Sequence, residues 1–208
     1  MTGMRRAPRK SPQERREEIV NAALQLLTEG GAPAVSTPAL ARRVGVTPSG
    51  VFKHFANKEE VWRAVMTHIA DAMGARLRAA IRGEGTCADR LLALLEAYLL
   101  AVDEMPAIPA ILFSGEVQTG GGASYLREEI ARRFGWLHEA LKTQLLAGQA
   151  AGEFRRDLDI EAAAVMAAGL AQSTILRWRV HGGAVDMLSE ARRMFPLLLN
   201  AICVSTEG

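Results

Sequence analysis

The sequence predicts an all-α protein, and three observations carry that expectation. Ala, Leu, Arg and Glu dominate a chain of 208 residues in which aromatic residues make up only 5%, a composition that favours helix over sheet. Apolar residues recur at three- and four-residue spacing along most of the chain, the period of helices with a buried face. There is no alternating strand pattern and no hairpin signal. Apolar residues reach 49%, enough for a substantial core, and the length allows one large or two small domains.

Each element follows from its own signals. The first helix is expected over Pro12–Glu29, with Ile19, Ala23, Leu26 and Leu27 on its inner face. Ser36 or Thr37 then caps a second helix, and Pro38 sits near its first position, where a missing N–H costs nothing. Leu40, Ala41 and Val44 form its short apolar face, and Gly45 supplies the left-handed residue that ends it. Val46 plugs the corner. Thr47 and Pro48 repeat the cap-and-proline start for a third helix, in which Val51 and Phe55 face inward. Asn57 caps the fourth helix, with Glu60 as the carboxylate of a capping box.

That fourth helix is expected over Lys58–Arg82, striped by Val61, Trp62, Val65, Met66, Ile69 and Met73. A helix over Ala88–Val102, a short one over Ala110–Val117, a glycine link at Gly120, Gly121 and Gly122, and a long helix over Ala123–Ala151 follow. Asp157 or Asp159 caps a helix running to Val180. The last helix spans Ala184–Val204, and Pro196 is expected to kink it.

The stretch from Ser36 to Lys58 reads as a helix-turn-helix, a unit whose second helix enters the DNA major groove. With Val51 and Phe55 turned inward, Pro48, Ser49, Phe52, Lys53 and His54 are left facing out. Small, polar and basic residues on an exposed helical face suit groove entry. Thr47, Ser49 and Lys53 are the candidates for phosphates or base edges, with Gly50 beside them. Lys58 and the helix starts at Ser36, Thr37 and Thr47 are candidates for phosphate contact.

Charge supports the same end of the molecule. Residues 1–63 carry eleven Lys or Arg against six Asp or Glu, a net +5, whereas the whole chain is only +2. A basic N-terminal region next to an acidic remainder points to a polyanion partner at one end. The arm holding Arg5, Arg6, Arg9 and Lys10 is either a solvated tail or a DNA-hugging extension. Cys87 and Cys203 have no His or Cys at metal spacing, so neither a disulfide nor a metal site is expected. No apolar leader is present and the longest apolar run, Ala162–Ala171, is half a membrane span, so a cytoplasmic location and no membrane partner are expected.

The region Arg15–Trp62 resembles the DNA-binding domain of the tetracycline-repressor (TetR/AcrR) family of bacterial transcription regulators. The resemblance rests on Ala22-Ala23, Gly30, Thr37, Leu40-Ala41, Gly45-Val46-Thr47, Phe52-Lys53-His54-Phe55 and Lys58-Glu59 at the family's spacing. Phe52 departs from the family's usual Tyr, so a phosphate-binding hydroxyl is absent. Ser49 stands where Gly is frequent, with Gly50 next to it. The resemblance implies an N-terminal helix-turn-helix domain, taken as residues 1–60, and a C-terminal helical domain for effector binding and dimerisation, residues 61–208.

It also implies a twofold pairing of the last two helices into a four-helix bundle. The helix Leu158–Val180 is apolar on all sides around its middle, and such a helix must be covered on all sides. Either a second copy covers it, or it is the central helix of a monomer. The interface candidates are Ala164, Ala168, Ala171 and Ile175 on this helix and Met187, Ala191, Met194, Phe195 and Leu198 on the last. A pocket for a small organic effector is implied by the family. Its candidates are His68, Met73, Tyr98, Met105, Phe113, Trp136 and Gln172, each of which also reads as ordinary core or rim.

No Gly-x-Ser-x-Gly, phosphate loop or His-Glu-x-x-His is present, so no catalytic residues, cofactor or metal are expected. The expected function is that of a homodimeric regulator, a repressor released from a palindromic double-stranded DNA operator by a small organic effector. The alternative is a DNA-binding dimer without small-molecule control, architectural or division-linked.

Overall fold

The structure, a computed structural model, describes residues 10–112 and 124–204. The described residues form helices joined by short turns, with no strand and one isolated β-bridge, between Phe154 and Cys203. The chain divides into two compact units between His68 and Ile69.

The N-terminal unit contains α1 (Pro12–Ala34), α2 (Thr37–Val44), α3 (Pro48–Phe52) and the start of α4 (Lys58–Ile81). Ser11 opens α1 with a complete capping box to Glu14. The regular path of α1 breaks at Gly31, whose φ of 69° only glycine adopts readily. Pro33 lies in the short turn beyond that break, so the regular part of the helix ends within two residues of the expected Glu29. Ile19, Ala23, Leu26 and Leu27 are buried as expected, together with Leu40, Ala41, Val44, Val51, Phe55 and Trp62.

The C-terminal unit holds the rest of α4, then α5 (Cys87–Glu104), α6 (Ala107–Leu112), α7 (Ser124–Ala150), α8 (Ile160–Val180) and α9 (Met187–Ile202). Helix α7 packs on α5 and α8, and α9 packs on α5 and α8. Thr86, Asp159 and Asp186 cap α5, α8 and α9. The short helix begins at Ala107 rather than Ala110, and the remainder of the stretch expected to be helical up to Val117 lies outside the described residues, as does the glycine link. Pro196 sits inside a helix that the structure carries through to Ile202. A turn between α7 and α8 is tied to the end of α9 by Arg155 N donating to Ile202 O and Val204 N donating to Glu153 O, at 2.9 and 3.1 Å.

The expected interface residues divide by their burial within the single chain. Ala164, Ala171, Ile175, Met187, Ala191, Phe195 and Leu198 are buried within the single chain, and Ala168 and Met194 are half-buried. Their own unit covers the buried ones, while Ala168 and Met194 keep part of their surface open. The apolar surface left open lies on the opposite faces: Val165, Met166, Leu176 and Val180 on α8, and Leu197 on α9. A helix apolar all round has no stripe to mark its inner side, so periodicity alone could not choose between the two faces.

Candidate nucleic-acid interface and effector cavity

Local chemistry builds the N-terminal reading unit. Ser36 Oγ accepts from Ala39 N at 3.3 Å, which caps α2. Gly45, at φ 69° and ψ 37°, ends α2, and Val46 N donates back to Ala41 O at 2.9 Å. Thr47 Oγ1 accepts from Gly50 N at 3.1 Å and lies 2.9 Å from Ser49 Oγ. The turn continues past α3, with His54 N donating to Val51 O at 3.0 Å. Thr47, Pro48, Ser49, Phe52, Lys53 and Lys58 are exposed; Ser36, Thr37, Gly50 and His54 are half-buried.

Asn57 Oδ1 accepts from Glu60 N at 2.8 Å, but Glu60 Oε2 accepts from Ala56 N, one residue earlier than the expected capping box. Glu60 also pairs with Arg16 at 3.0 Å. The Ala56 N–H, and after it Arg16, hold the Glu60 carboxyl below the ordinary carboxylate value. Arg16 further donates to His54 O and lies over the Phe55 ring, 4.1 Å from its centroid. One guanidinium from α1 thus fixes the carboxyl end of α3 and the amino end of α4. Nothing in periodicity singles it out, because its partners lie 38 and 44 residues away.

The electrostatics of the unit are selective. Each of its six carboxylates accepts a hydrogen bond: Glu14 from Ser11 N, Glu17 from Gln13, Glu18 from Lys10 and Arg15, Glu29 from Arg43, Glu59 from Arg63, and Glu60 as above. Arg42, Lys53 and Lys58 are exposed and make no ion pair or side-chain hydrogen bond among the described residues. Arg42, absent from the sequence-based candidates, becomes visible once Arg43 is seen to be held by Glu29 at 2.6 Å.

In the C-terminal unit, a cavity of about 380 Å³ is lined by Met73, Gly74, Leu77 and Arg78 of α4 and by Arg132 and Trp136 of α7. Of the expected effector residues it brings together Met73 and Trp136. His68 and Gln172 are exposed elsewhere, Met105 caps the end of α5, and Tyr98 is buried, its phenol pushed up to about 12 by desolvation. Phe113 lies outside the described residues.

Cys87 and Cys203 are free thiols. Burial pushes both thiols up, and the nearby Glu153 carboxylate adds to it. No group of three metal-ligating side chains occurs among the described residues. No helix among them is long and apolar enough to cross a membrane.

Comparison with known proteins agrees with this geometry. Residues 19–65 match the model of bacterial regulatory proteins of the tetR family, and residues 87–195 match the tetracyclin repressor-like C-terminal domain. The nucleoid occlusion factor SlmA of Photobacterium profundum is 27% identical over 132 residues, 63% of this chain and 64% of that protein. The chain thus aligns to less than two thirds of that relative's length. A TetR transcriptional regulator from Chloroflexus aurantiacus J-10-FL superposes with a TM-score of 0.76 at 19% identity, over 93% of this chain and 98% of that one. The transcriptional regulator FadR of Bacillus subtilis, solved in complex with stearoyl-CoA, gives 0.74 at 21% identity, over 89% of this chain and 98% of that one. Both tandem domain matches fall where the two units lie, and the chain belongs to the TetR family of DNA-binding transcription regulators.

Proposed function

We propose that this regulator is a cytoplasmic homodimeric repressor that leaves a palindromic operator when a small organic effector binds. The observation that carries the DNA half is the survival of unpaired Lys53 and Lys58, beside a twice-capped helix-turn-helix, in a unit whose carboxylates are all engaged. In this reading α3 enters the major groove with Ser49, Phe52, Lys53 and His54, with Pro48 and Gly50 keeping its leading turn slim. Lys58, and the helix starts at Ser36, Thr37 and Thr47, hold phosphates.

Two copies pair through the open faces of α8 and α9, where Val165, Leu176, Val180 and Leu197 stay exposed on one chain. A symmetric pair needs only one short reading helix per chain, because two copies read the two halves of a palindrome. Helix α4 runs from Lys58 to Ile81 through the division between the units. An effector seated against its Met73–Arg78 segment moves the reading heads away from half-sites spaced ~34 Å or a multiple of it. The requirement is a difference in effector affinity between the two states.

Selection of bound duplexes from a random pool tests the reading. The expected result is a twofold-symmetric consensus, and Lys53→Ala lowers the slope of log affinity against log salt by about one per head. Failure to enrich any duplex at low salt overturns it. The likeness to nucleoid occlusion factors supports a second reading, a DNA-bound dimer without effector control. Metabolite extracts titrated against the selected complex separate the two, since only the first loses its duplex.

A further inference from the structure

We infer that the cavity between α4 and α7 takes a small organic anion with a flat apolar body, its acid group on Arg78 and its ring on Trp136. This rests on the effector reading above and names the ligand class. Arg78 makes no ion pair or side-chain hydrogen bond among the described residues, whereas Arg76 of the same helix is paired with Glu104 at 2.7 Å. The Arg78 guanidinium is folded back along α4: a β-carbon on Gly74 would stand 2.9 Å from its Nη1. The bare backbone of Gly74 therefore lets the guanidinium lie on the cavity lining that both residues share.

Trp136 leaves 40% of its surface open on the facing helix, and Met73 and Leu77 extend the apolar wall. An unneutralised guanidinium beside an open indole recognises an acid at one end and a planar apolar group at the other. Asp71 lies on the same lining and disfavours a second negative group. A volume near 380 Å³ is at the lower end of ligand pockets, about 300–1,000 Å³.

The test uses the full-length protein and two dyes with one ring system: 8-anilinonaphthalene-1-sulfonate and the neutral N-phenyl-1-naphthylamine. The sulfonate should bind more tightly. Arg78→Ala should weaken it about tenfold and leave the neutral dye unchanged. Met73→Trp, which fills the cavity, should abolish both. Equal affinity for the two dyes, or a silent Arg78→Ala, overturns the ligand class, and a silent Met73→Trp overturns the site. The selected duplex separates this inference from the reading beneath it. Sulfonate held through Arg78 without release of DNA keeps the site and removes effector control. Release by the neutral dye alone does the reverse.

Independently, we infer that Phe52 reads a thymine methyl group. Phe52 closes α3 with half its surface exposed, while Val51 and Phe55 beside it are buried. Its ring cannot hydrogen-bond a phosphate, and thymine is the base that presents an apolar group in the major groove. Deoxyuridine substituted for each thymine of the selected duplex removes that methyl and nothing else. One thymine per half-site should cost about fourfold in affinity. Phe52→Ala should bind the parent duplex more weakly and be indifferent to the same substitution. Indifference of the unaltered protein to every substitution, or sensitivity that persists in Phe52→Ala, overturns the assignment; failure to enrich any duplex tells instead against the DNA reading.

Discussion

In the N-terminal unit the inner and outer faces of each short helix differ sharply in composition, whereas in the C-terminal unit α8 is apolar on both. Leu40, Ala41 and Val44 mark one side of α2, and Val51 with Phe55 mark one side of the α3 turn, so the remaining residues are half-buried or exposed. On α8 the buried set (Ala163, Ala164, Ala167, Ala171 and Ile175, with Thr174 among them) and the open set (Val165, Met166, Leu176, Val180) are both rich in apolar residues. Charges diverge too. In the N-terminal unit carboxylates engage most cations and leave Arg42, Lys53 and Lys58 free to meet a polyanion. In the C-terminal unit ion pairs tie one helix to another: Arg192 to Glu96, Lys142 to Glu161 and Arg177 to Glu190. Such pairs join helices in both units, since Arg43 with Glu29 ties α2 to α1 and Arg16 with Glu60 ties α1 to α4, but in the N-terminal unit they also leave Arg42, Lys53 and Lys58 unmatched.

The contrast on α8 can be broken most forcefully by charge. Leu176→Asp, on the open face, should leave helicity intact, produce a monomer in sedimentation at micromolar concentration, and weaken operator binding more than 100-fold. A dimer that persists would remove α8 from the interface. Ala164→Asp, on the inner face of the same helix, should instead unfold the C-terminal unit, because it buries an unpaired carboxylate.

Two glycines sharpen the comparison on stability. A β-carbon on Gly148 would lie 2.2 Å from the ring of buried Phe154. Gly148→Ala should therefore cost about 3 kcal/mol in urea unfolding, read from the C-terminal transition. Gly45 has open space around it but a φ of 69°, so Gly45→Ala should cost about 1 kcal/mol in the N-terminal transition. Equal effects would mean that backbone strain and overpacking had been ranked wrongly.

Arg16→Ala falls between these. It should lower the N-terminal urea midpoint and weaken operator binding several-fold, since it frees the ends of α3 and α4. The Glu60 carboxyl is depressed, so its contribution to stability is full above the ordinary carboxylate value and fades as pH falls through its lowered folded value. Acid unfolding of the N-terminal unit should accordingly shift to higher pH in Arg16→Ala. An unchanged acid limb would mean that the Ala56 N–H alone holds the carboxylate.

The N-terminal unit was legible because its signals are local. A cap at Ser36 or Thr37 and one at Thr47, prolines in the first turn at Pro38 and Pro48, and a left-handed Gly45 all act within four residues of themselves. A cap at Asp157 or Asp159 was legible for the same reason, and the structure selects Asp159, while α9 starts at Met187, three residues after the expected Ala184. Arg16 was not, because its partners come from distant positions that only packing brings near.

The sequence by itself determined the helices, their order, the outward residues of α3 and the basic character of the amino-terminal end, because those depend on neighbours along the chain. Tertiary structure decided which side of α8 and α9 is inside, which cations stay unpaired, and that Met73 and Trp136 meet across one cavity while Tyr98 and Gln172 go elsewhere. Burial and ion pairing are properties of packed surfaces, and a one-dimensional apolar pattern fixes a face only when the other face is polar.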